Sequence, residues 1–307
     1  MGRSDRKKSR KLWLKIPIIV IILLILGVGV YAFTVYNNAK STVNDKMQSQ
    51  VDSIDTSLTK KKLNETEALN VLLLGIDSEE DQAGRSDAMM IMRLYPETDE
   101  MKIVSIPRDT RAEIVGKDKE DKINHAYAFG KEDMAVATVE NFLDIELDYY
   151  VAINMDGLVE LVDELGSITV DNEVEWSDNG YDFPTGTVEM DGDKTMSYVR
   201  MRKEDPEGDF GRTTRQRKVI EGILQEGASA GSVPKIKSLT EVLGNNMSTN
   251  MDFADMKKLF SGYRDTRRNV DEYMLDGEGT NIDGVYYLQV PDEEIQKGHD
   301  ILTEDES

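Results

Sequence analysis

After a short polar and basic start, twenty consecutive positions, Ile16 to Val35 (IPIIVIILLILGVGVYAFTV), carry no charge. At about 1.5 Å per residue such a helix spans roughly 30 Å, the thickness of a bilayer's hydrocarbon core, so the run predicts a transmembrane signal-anchor over 16–36. The pattern then changes. Val43, Met47, Val51, Ile54 and Leu58 recur at steps of three and four, the stripe of an amphipathic helix, read as a stalk over 37–68 that packs on the domain or on a partner helix.

Asn70 to Leu74 (NVLLL) is a continuous apolar run closed by Gly75, the pattern of a buried strand. Strand-like runs follow at 88–94, 101–106, 149–153, 167–170 and 285–290, and helical patterns lie between them at 131–143, 155–165 and 213–226, with further helices at 238–243 and 253–263. Strands alternating with helices predict an α/β fold, a sheet covered by helices on both faces, over residues 69–291. Residues 292–307, with seven acids, read as a frayed acidic tail.

Charge sharpens this picture. Residues 1–15 hold seven basic side chains and one acid, while the whole chain is −22, so residues 16–307 carry −28. Basic residues before the span outnumber Lys40 and Lys46 after it, which places the N-terminus in the cytoplasm and the rest outside. An acidic exterior domain excludes nucleic acid as a partner. The absence of cysteine excludes disulfides, thiolate catalysis and Cys-ligated zinc.

Against that charge, YVRMRKEDPEGDFGRTTRQRKV (198–219) concentrates Arg200, Arg202, Arg212, Arg215 and Arg217, the first pair at alternate positions on a short extended run and the rest on a helix start. Asp77 leaves the first strand and Asp87 enters the second, so a short connection brings two carboxylates to one sheet edge, the region where open α/β sheets bind ligands. Two hard oxygen donors suit Mg²⁺ bridged to substrate phosphates, and each acid alone is equally at home capping a turn or starting a strand. Arg85, Arg108, Arg200, Arg202, Arg212 and Arg215, if they converge, form a clamp for a polyanion such as a pyrophosphate, because surface ion pairs contribute only about 0–1 kcal/mol each and do not explain so many cations. Lys122 and Asn124 are orienting candidates, and His125 reads as structural.

NVLLLGIDS, GRSDAMM, VSIPRDT, DKINHAYAFG, VENFLDIELDYYVAINMDGLVELVDELG, YVRMR and DFGRTTRQR, in order over residues 70–226, resemble the LytR-CpsA-Psr family of Gram-positive cell-envelope proteins, and its teichoic-acid-attaching members most of all. The resemblance implies a central mixed β-sheet in a three-layer sandwich, with an apolar groove for a polyprenyl chain and an arginine-lined mouth for its diphosphate. It implies Asp77 and Asp87 at a Mg²⁺ or Mn²⁺ ion, Asp87 also activating the acceptor hydroxyl, and catalytic contributions from Arg108 and Arg202. Arg85, Arg108, Arg200, Arg202 and Arg215 would bind diphosphate, with Asp109, Arg212 and Gln216 orienting them. The implied reaction transfers a polyprenyl-diphosphate-linked anionic glycopolymer to peptidoglycan at the membrane. Ala88 stands where the family usually has Thr, Lys131 where it tends to have Gly, and Ser167 where it has Gly.

Three other readings belong beside it: a membrane-bound regulator, a polyprenyl pyrophosphatase using water, and a lipid-binding carrier. A basic tail of fifteen residues is too short for a helix-turn-helix, which disfavours direct DNA regulation.

Overall fold

The computed structural model describes residues 32–77, 84–201, 205–229 and 235–304. The predicted span over 16–36 and the basic tail fall mostly outside these residues, as does Arg202, and among the described residues no helix is long and apolar enough to cross a membrane.

The expected stalk is not one helix. Residues 32–42 are helical, widen into a π turn at Val43–Met47, and give way to an extended stretch in which Gln48 bridges Thr249. Helix α1 (Thr56–Glu65) then starts afresh because the Asp55 carboxylate accepts from the amides of Ser57 and Leu58. The stripe still marks the inner side: Val43, Met47, Val51 and Ile54 are buried in the domain, and only Leu58 is exposed.

Strands β1 (Leu69–Asp77), β2 (Arg85–Tyr95) and β3 (Glu100–Ser105) form an antiparallel meander. The hairpin β4 (Arg111–Ile114) and β5 (Lys119–Lys122) leads into α2 (His125–Leu143), β6 (Tyr149–Asn154) and α3 (Met155–Leu165), which stops at Gly166 with φ +102°. β7 (Ile168–Asn172), β8 (Trp176–Asp178), β9 (Tyr181–Phe183) and β10 (Gly186–Met190) precede α4 (Gly192–Arg200) and α5 (Asp209–Gly227). The chain closes with α6 (Ile236–Asn246), β11 (Met247–Thr249), α7 (Phe253–Gly262), β12 (Asn269–Met274), the hairpin β13 (Glu278–Ile282) and β14 (Val285–Gln289), and α8 (Asp292–Thr303).

The central sheet has the order β11–β6–β1–β2–β3–β12 and is mixed: β1 runs parallel to β6 and antiparallel to β2, and β12 runs parallel to β3. Successive strand residues face opposite sides, so the apolar β1 serves two layers. Leu72, Leu74 and Ile76 join Met89, Ile91 and Val104 in a core against Val136, Val139 and Leu143 of α2 and Leu302 of α8. Val71 and Leu73 face the other way with Met90 and Met92, toward Ile220 and Leu224 of α5 and Met256 and Leu259 of α7. A satellite core gathers Trp176, Phe183 and Tyr198, with Trp176 stacked on Phe183 at 3.9 Å between centroids.

Two further expectations need correction. The acidic tail is mostly α8, whose Gly298 and Leu302 are buried; its carbonyls at Leu302, Ile301 and Glu304 accept from Asn70 and the Tyr95 hydroxyl. Its acids cluster in the first turn, where the helix dipole favours them, and on the exposed side. YVRM is not extended either: Asp191 caps α4 through the Lys194 amide, and Tyr198 to Arg200 form that helix's last turn before Met201 leaves at ψ 134°.

α2 contains a break at Gly130 and Lys131, and Lys131 sits at φ +55°, ψ −144°, a conformation that suits glycine. A side chain there costs on the order of 1–3 kcal/mol. Lys131→Gly is therefore expected to be more stable than Lys131→Ala by about 1 kcal/mol in chemical denaturation, although both lose the lysine's contact with the Tyr127 ring. Equal stabilities would show that the break carries no strain.

Candidate active site

The mouth is built by an irregularity between β1 and β2. Gly75 pairs with Ala88 and Ile76 with Ser86, so Asp87 is the extra residue of a β-bulge. A bulge re-aims the side chain it carries. Asp87 is buried, and its carboxylate accepts from Arg108 Nη1 at 2.5 Å and from Asn124 Nδ2 at 3.0 Å. The strands meet so closely here that a Cβ on Gly75 would lie 2.9 Å from Ala88 Cβ, which fixes glycine at this position.

Asp77 continues the row Val71, Leu73, Gly75 on the same face of β1, and Arg85 stands opposite it, exposed. Arg200, from the end of α4, approaches Asp77 at 3.6 Å and keeps 57% of its side chain exposed. Arg108 follows β3 and is the electrostatic centre. Asp87 holds it at 2.5 Å, Asp209 at 3.7 Å and Asp109 at 3.8 Å, and these carboxylates, against the cost of burial, push its pKa above the usual arginine range. Asp109 also receives Lys122 Nζ at 2.6 Å, Asn124 N–H donates to the Arg108 carbonyl, and Asp209 is paired with Arg212 at 3.0 Å. Burial notwithstanding, the Lys119 ammonium, the Lys122 amide and His125 hold the neighbouring Asp121 carboxyl below its usual range.

Asp77, Asp87, Arg85, Arg108, Arg200 and the orienting set Asp109, Lys122, Asn124 and Arg212 thus come together at one end of the sheet. Gln216 is buried on α5 and lines the cavity described below. Arg215 does not join them as a surface for ligand. It is buried, with Nε donating to the Tyr198 carbonyl at 3.1 Å, Nη1 to Asp205 and Nη2 to the Met201 carbonyl. Periodicity on α5 places Arg215 three residues beyond Arg212, but the loop before the helix folds Asp205 back under it and occupies its guanidinium. Asp205 and Asp209 were not singled out in the sequence, although acids inside an arginine-rich stretch are the signal that could have found them.

Below the mouth lies a cavity of about 550 Å³ between the sheet and α3, α5, α6 and α7. Leu73, Met90, Leu158, Ile220, Leu243 and Leu259 represent its lining, which is almost wholly apolar, and Gly75, Ala88 and Asn154 mark its end at the acids. The alternation of β1 and β2 contained half of this wall; the helical half depends on tertiary placement.

Among the described residues no three acids or histidines gather as a closed metal cage. The donor set nonetheless fits Mg²⁺: two carboxylates on adjacent strands leave most positions to phosphate oxygens and water, as that ion prefers, and the buried Asn124 Oδ1 beside Asp87 has no hydrogen-bond partner.

A model of the LytR_cpsA_psr family matches residues 30–304. The chain belongs to that family. It is 42% identical over 290 residues, 94% of each chain, to the polyisoprenyl-teichoic acid–peptidoglycan teichoic acid transferase TagU of Bacillus subtilis strain 168. The crystal structure of B. subtilis TagU aligns with a TM-score of 0.65 and 39% identity, covering 78% of this chain and 99% of that one. A structure of TagT bound to LIIa-WTA aligns at TM-score 0.65 and 31% identity over 76% of this chain and 89% of its own.

Arg215→Ala leaves the Asp205 carboxylate, whose side chain is only 3% exposed, without its cation. Breaking a buried pair in this way costs about 3–5 kcal/mol, so the variant is expected to lose stability in denaturant titration as well as activity. Unchanged stability with lost activity would return Arg215 to ligand binding. Further along α5, burial and a hydrogen bond with Glu272 push Glu221 up to about 8, against Arg217 and Lys218, which lower it. Its folded pKa exceeds its unfolded one, so its contribution is complete below about pH 4.5 and is lost as pH rises through 8. Glu221→Gln should flatten the fall in melting temperature between pH 5 and 8, and a profile parallel to the parent's would refute the assignment.

Proposed function

We propose that this chain is a membrane-anchored phosphotransferase that attaches a polyprenyl-diphosphate-linked glycopolymer, wall teichoic acid above all, to peptidoglycan through a phosphodiester. The observation that carries the reading is an apolar cavity of about 550 Å³ whose end at Gly75 and Ala88 adjoins the strand ends that carry Asp77, Asp87 and the arginines. An amphiphile with an isoprenoid body and a diphosphate head matches both parts at once.

The acceptor hydroxyl attacks the phosphorus that bears the glycopolymer. That phosphorus separates from the bridging oxygen, which leaves as polyprenyl phosphate, and the hydroxyl proton passes to Asp87. Asn124 and Arg108 fix the orientation of the Asp87 carboxylate. Arg108, Arg85 and Arg200 place guanidinium charge where the diphosphate would lie, the family resemblance gives Arg202, outside the described residues, the same role, and the rate derives from positioning and charge neutralisation without a covalent enzyme intermediate. Mg²⁺, held by Asp77 and Asp87, would add positive charge at the phosphoryl oxygens. Lys122, Asp109, Arg212 and Gln216 keep the clamp aligned. The segment 16–36 would anchor the protein as a single-pass chain with its N-terminus in the cytoplasm, beside the membrane that holds the donor.

The test is incubation of the full chain with Mg²⁺, a polyprenyl-diphosphate-linked glycan and uncrosslinked peptidoglycan, following the phosphodiester product by mass. Asp87→Asn keeps the size of the side chain and should lower turnover about 10²- to 10⁴-fold. Arg108→Lys, which loses the guanidinium fork, should lower it about 10²- to 10³-fold. Polyprenyl phosphate released with no acceptor product would establish a pyrophosphatase instead, and donor binding without turnover a carrier.

A further inference from the structure

α7 and the 3₁₀ turn that follows it, Arg264–Arg268, carry a cluster that the mouth does not use. Residues 256–268 contain Lys257, Lys258, Arg264, Arg267 and Arg268 against one acid, Asp265, in a chain of net charge −22. On the same helix Phe260 is 57% exposed, with the Arg264 guanidinium 6.0 Å from its ring centre. A large aromatic left in water among cations is the composition of a surface that seats at the headgroup level of an anionic bilayer.

This surface is continuous with the apolar cavity, at the end away from the acids. Met256, Leu259, Phe260, Arg264 and Arg267 all line it. The 3₁₀ turn feeds β12, whose first residue Asn269 pairs with Glu100 at the start of β3, whereas Arg108 lies beyond Ser105 at the other end of that strand. Along β2 the cavity wall runs from Ala88 at the mouth to Leu94, about 20 Å at 3.4 Å per residue.

The N-terminal helix supplies an independent bearing. Tyr36 packs edge-on against Phe253 at 5.2 Å between centroids, and Asn44 Oδ1 accepts from the Phe253 amide at 2.9 Å. Tyr36, just past the end of the apolar run that begins at Ile16, therefore lies against the first turn of α7, about 10 Å along that helix from Phe260. Phe33 and Tyr36 are themselves exposed.

We propose that this face docks on an anionic phospholipid bilayer and that the far end of the cavity opens onto the lipid, so that the distal part of the isoprenoid stays in the membrane while its diphosphate sits at the mouth. The placement of the isoprenoid rests on the isoprenoid reading above; the docking does not. Lipid phosphates pair with Lys257, Lys258 and Arg268, all exposed, and Phe260 reaches the acyl boundary.

Because the chain has no cysteine, Phe260→Cys provides a single labelling position. The full chain carrying a fluorophore there is placed in vesicles of phosphatidylglycerol and phosphatidylcholine that contain spin-labelled lipid quenchers, with Asp182→Cys, exposed on β9, as the control. Quenching is expected at position 260 and not at 182, and it should fall at least about fivefold when Lys257, Lys258 and Arg268 are all changed to Glu, since each such cation contributes about 1 kcal/mol at an anionic surface. Equal quenching at both positions, or none at 260, overturns the docking. Turnover of a short-chain, detergent-soluble donor should be the same in the triple variant and the parent. A parent inactive on that donor counts against the transferase reading and leaves the quenching result to stand, while activity without quenching at 260 removes the docking alone.

Discussion

One constraint organises the molecule: β1 and β2 must be apolar on both faces while only one of those faces is filled. The Leu72, Leu74 and Ile76 side is sealed by α2 and α8 into a dry core, and it is this face that holds the sheet together. The Val71, Leu73 and Gly75 side is spanned by helices that stand off from it and leave a cavity. Seven of the fifteen methionines line that cavity: Met90, Met92, Met101, Met155, Met247, Met251 and Met256. Unbranched thioether side chains re-pack readily around irregular apolar guests, so a wall rich in methionine accommodates a chain of variable conformation where a wall of branched residues would select one shape.

The mouth meets the opposite difficulty. Arginines gathered beside an apolar cavity would be costly without partners, since buried charge is tolerated only when paired and hydrogen-bonded. The acids resolve this. Asp87, Asp109 and Asp209 surround Arg108, Asp77 approaches Arg200, and Asp209 also holds Arg212. A polyanion of the proposed kind would exchange partners with carboxylates that already hold Arg108 and Arg212 in place, while the exposed Arg85 and Arg200 would still have to be ordered around it. Arg215 marks the limit of the cluster: with Asp205 and two carbonyls as partners it has already completed its exchange inside the protein.

The four inner strands β6, β1, β2 and β3 are legible as apolar runs, whereas the edge strands β11 and β12 are too short or too polar to show, and the strand-like runs at 167–170 and 285–290 pair in separate two-stranded sheets; the helical pattern at 155–165 coincides with α3, which Gly166 stops. Asp87, the catalytic candidate, and Asp77, the metal-ligand candidate, were legible as acids at strand ends, but the bulge that turns Asp87 toward Arg108 was not, since register is a property of the pair and not of either strand. Helical α4 was misread as extended because YVRM alternates locally, while its deciding signal, the cap at Asp191, lies seven residues upstream. The acidic C-terminal helix was hidden by composition: charge on its exposed side outweighed the burial of Gly298 and Leu302. The cavity was illegible for a deeper reason. Apolar positions that fill a core and those that line an opening have the same pattern, and only the distance at which helices α3, α5, α6 and α7 are held separates them.

That distance is set by short, local devices. Gly157 of α3 lies where a Cβ would be 2.3 Å from Asn246 Cβ of α6, and Gly192 of α4 where one would be 2.4 Å from the Val159 carbonyl of α3. These contacts bring α3, α4 and α6 tightly onto one another, so the helical layer behaves as a unit that bridges the sheet instead of collapsing onto it residue by residue. The same layer carries the guanidinium of Arg200 at the end of α4, which makes the width of the cavity and the position of that clamp residue consequences of one set of helix–helix contacts. A substitution that loosens the layer, such as one at Gly192, should therefore disturb the width of the cavity and the position of Arg200 together, because the α3–α4 contact at Val159 underlies both.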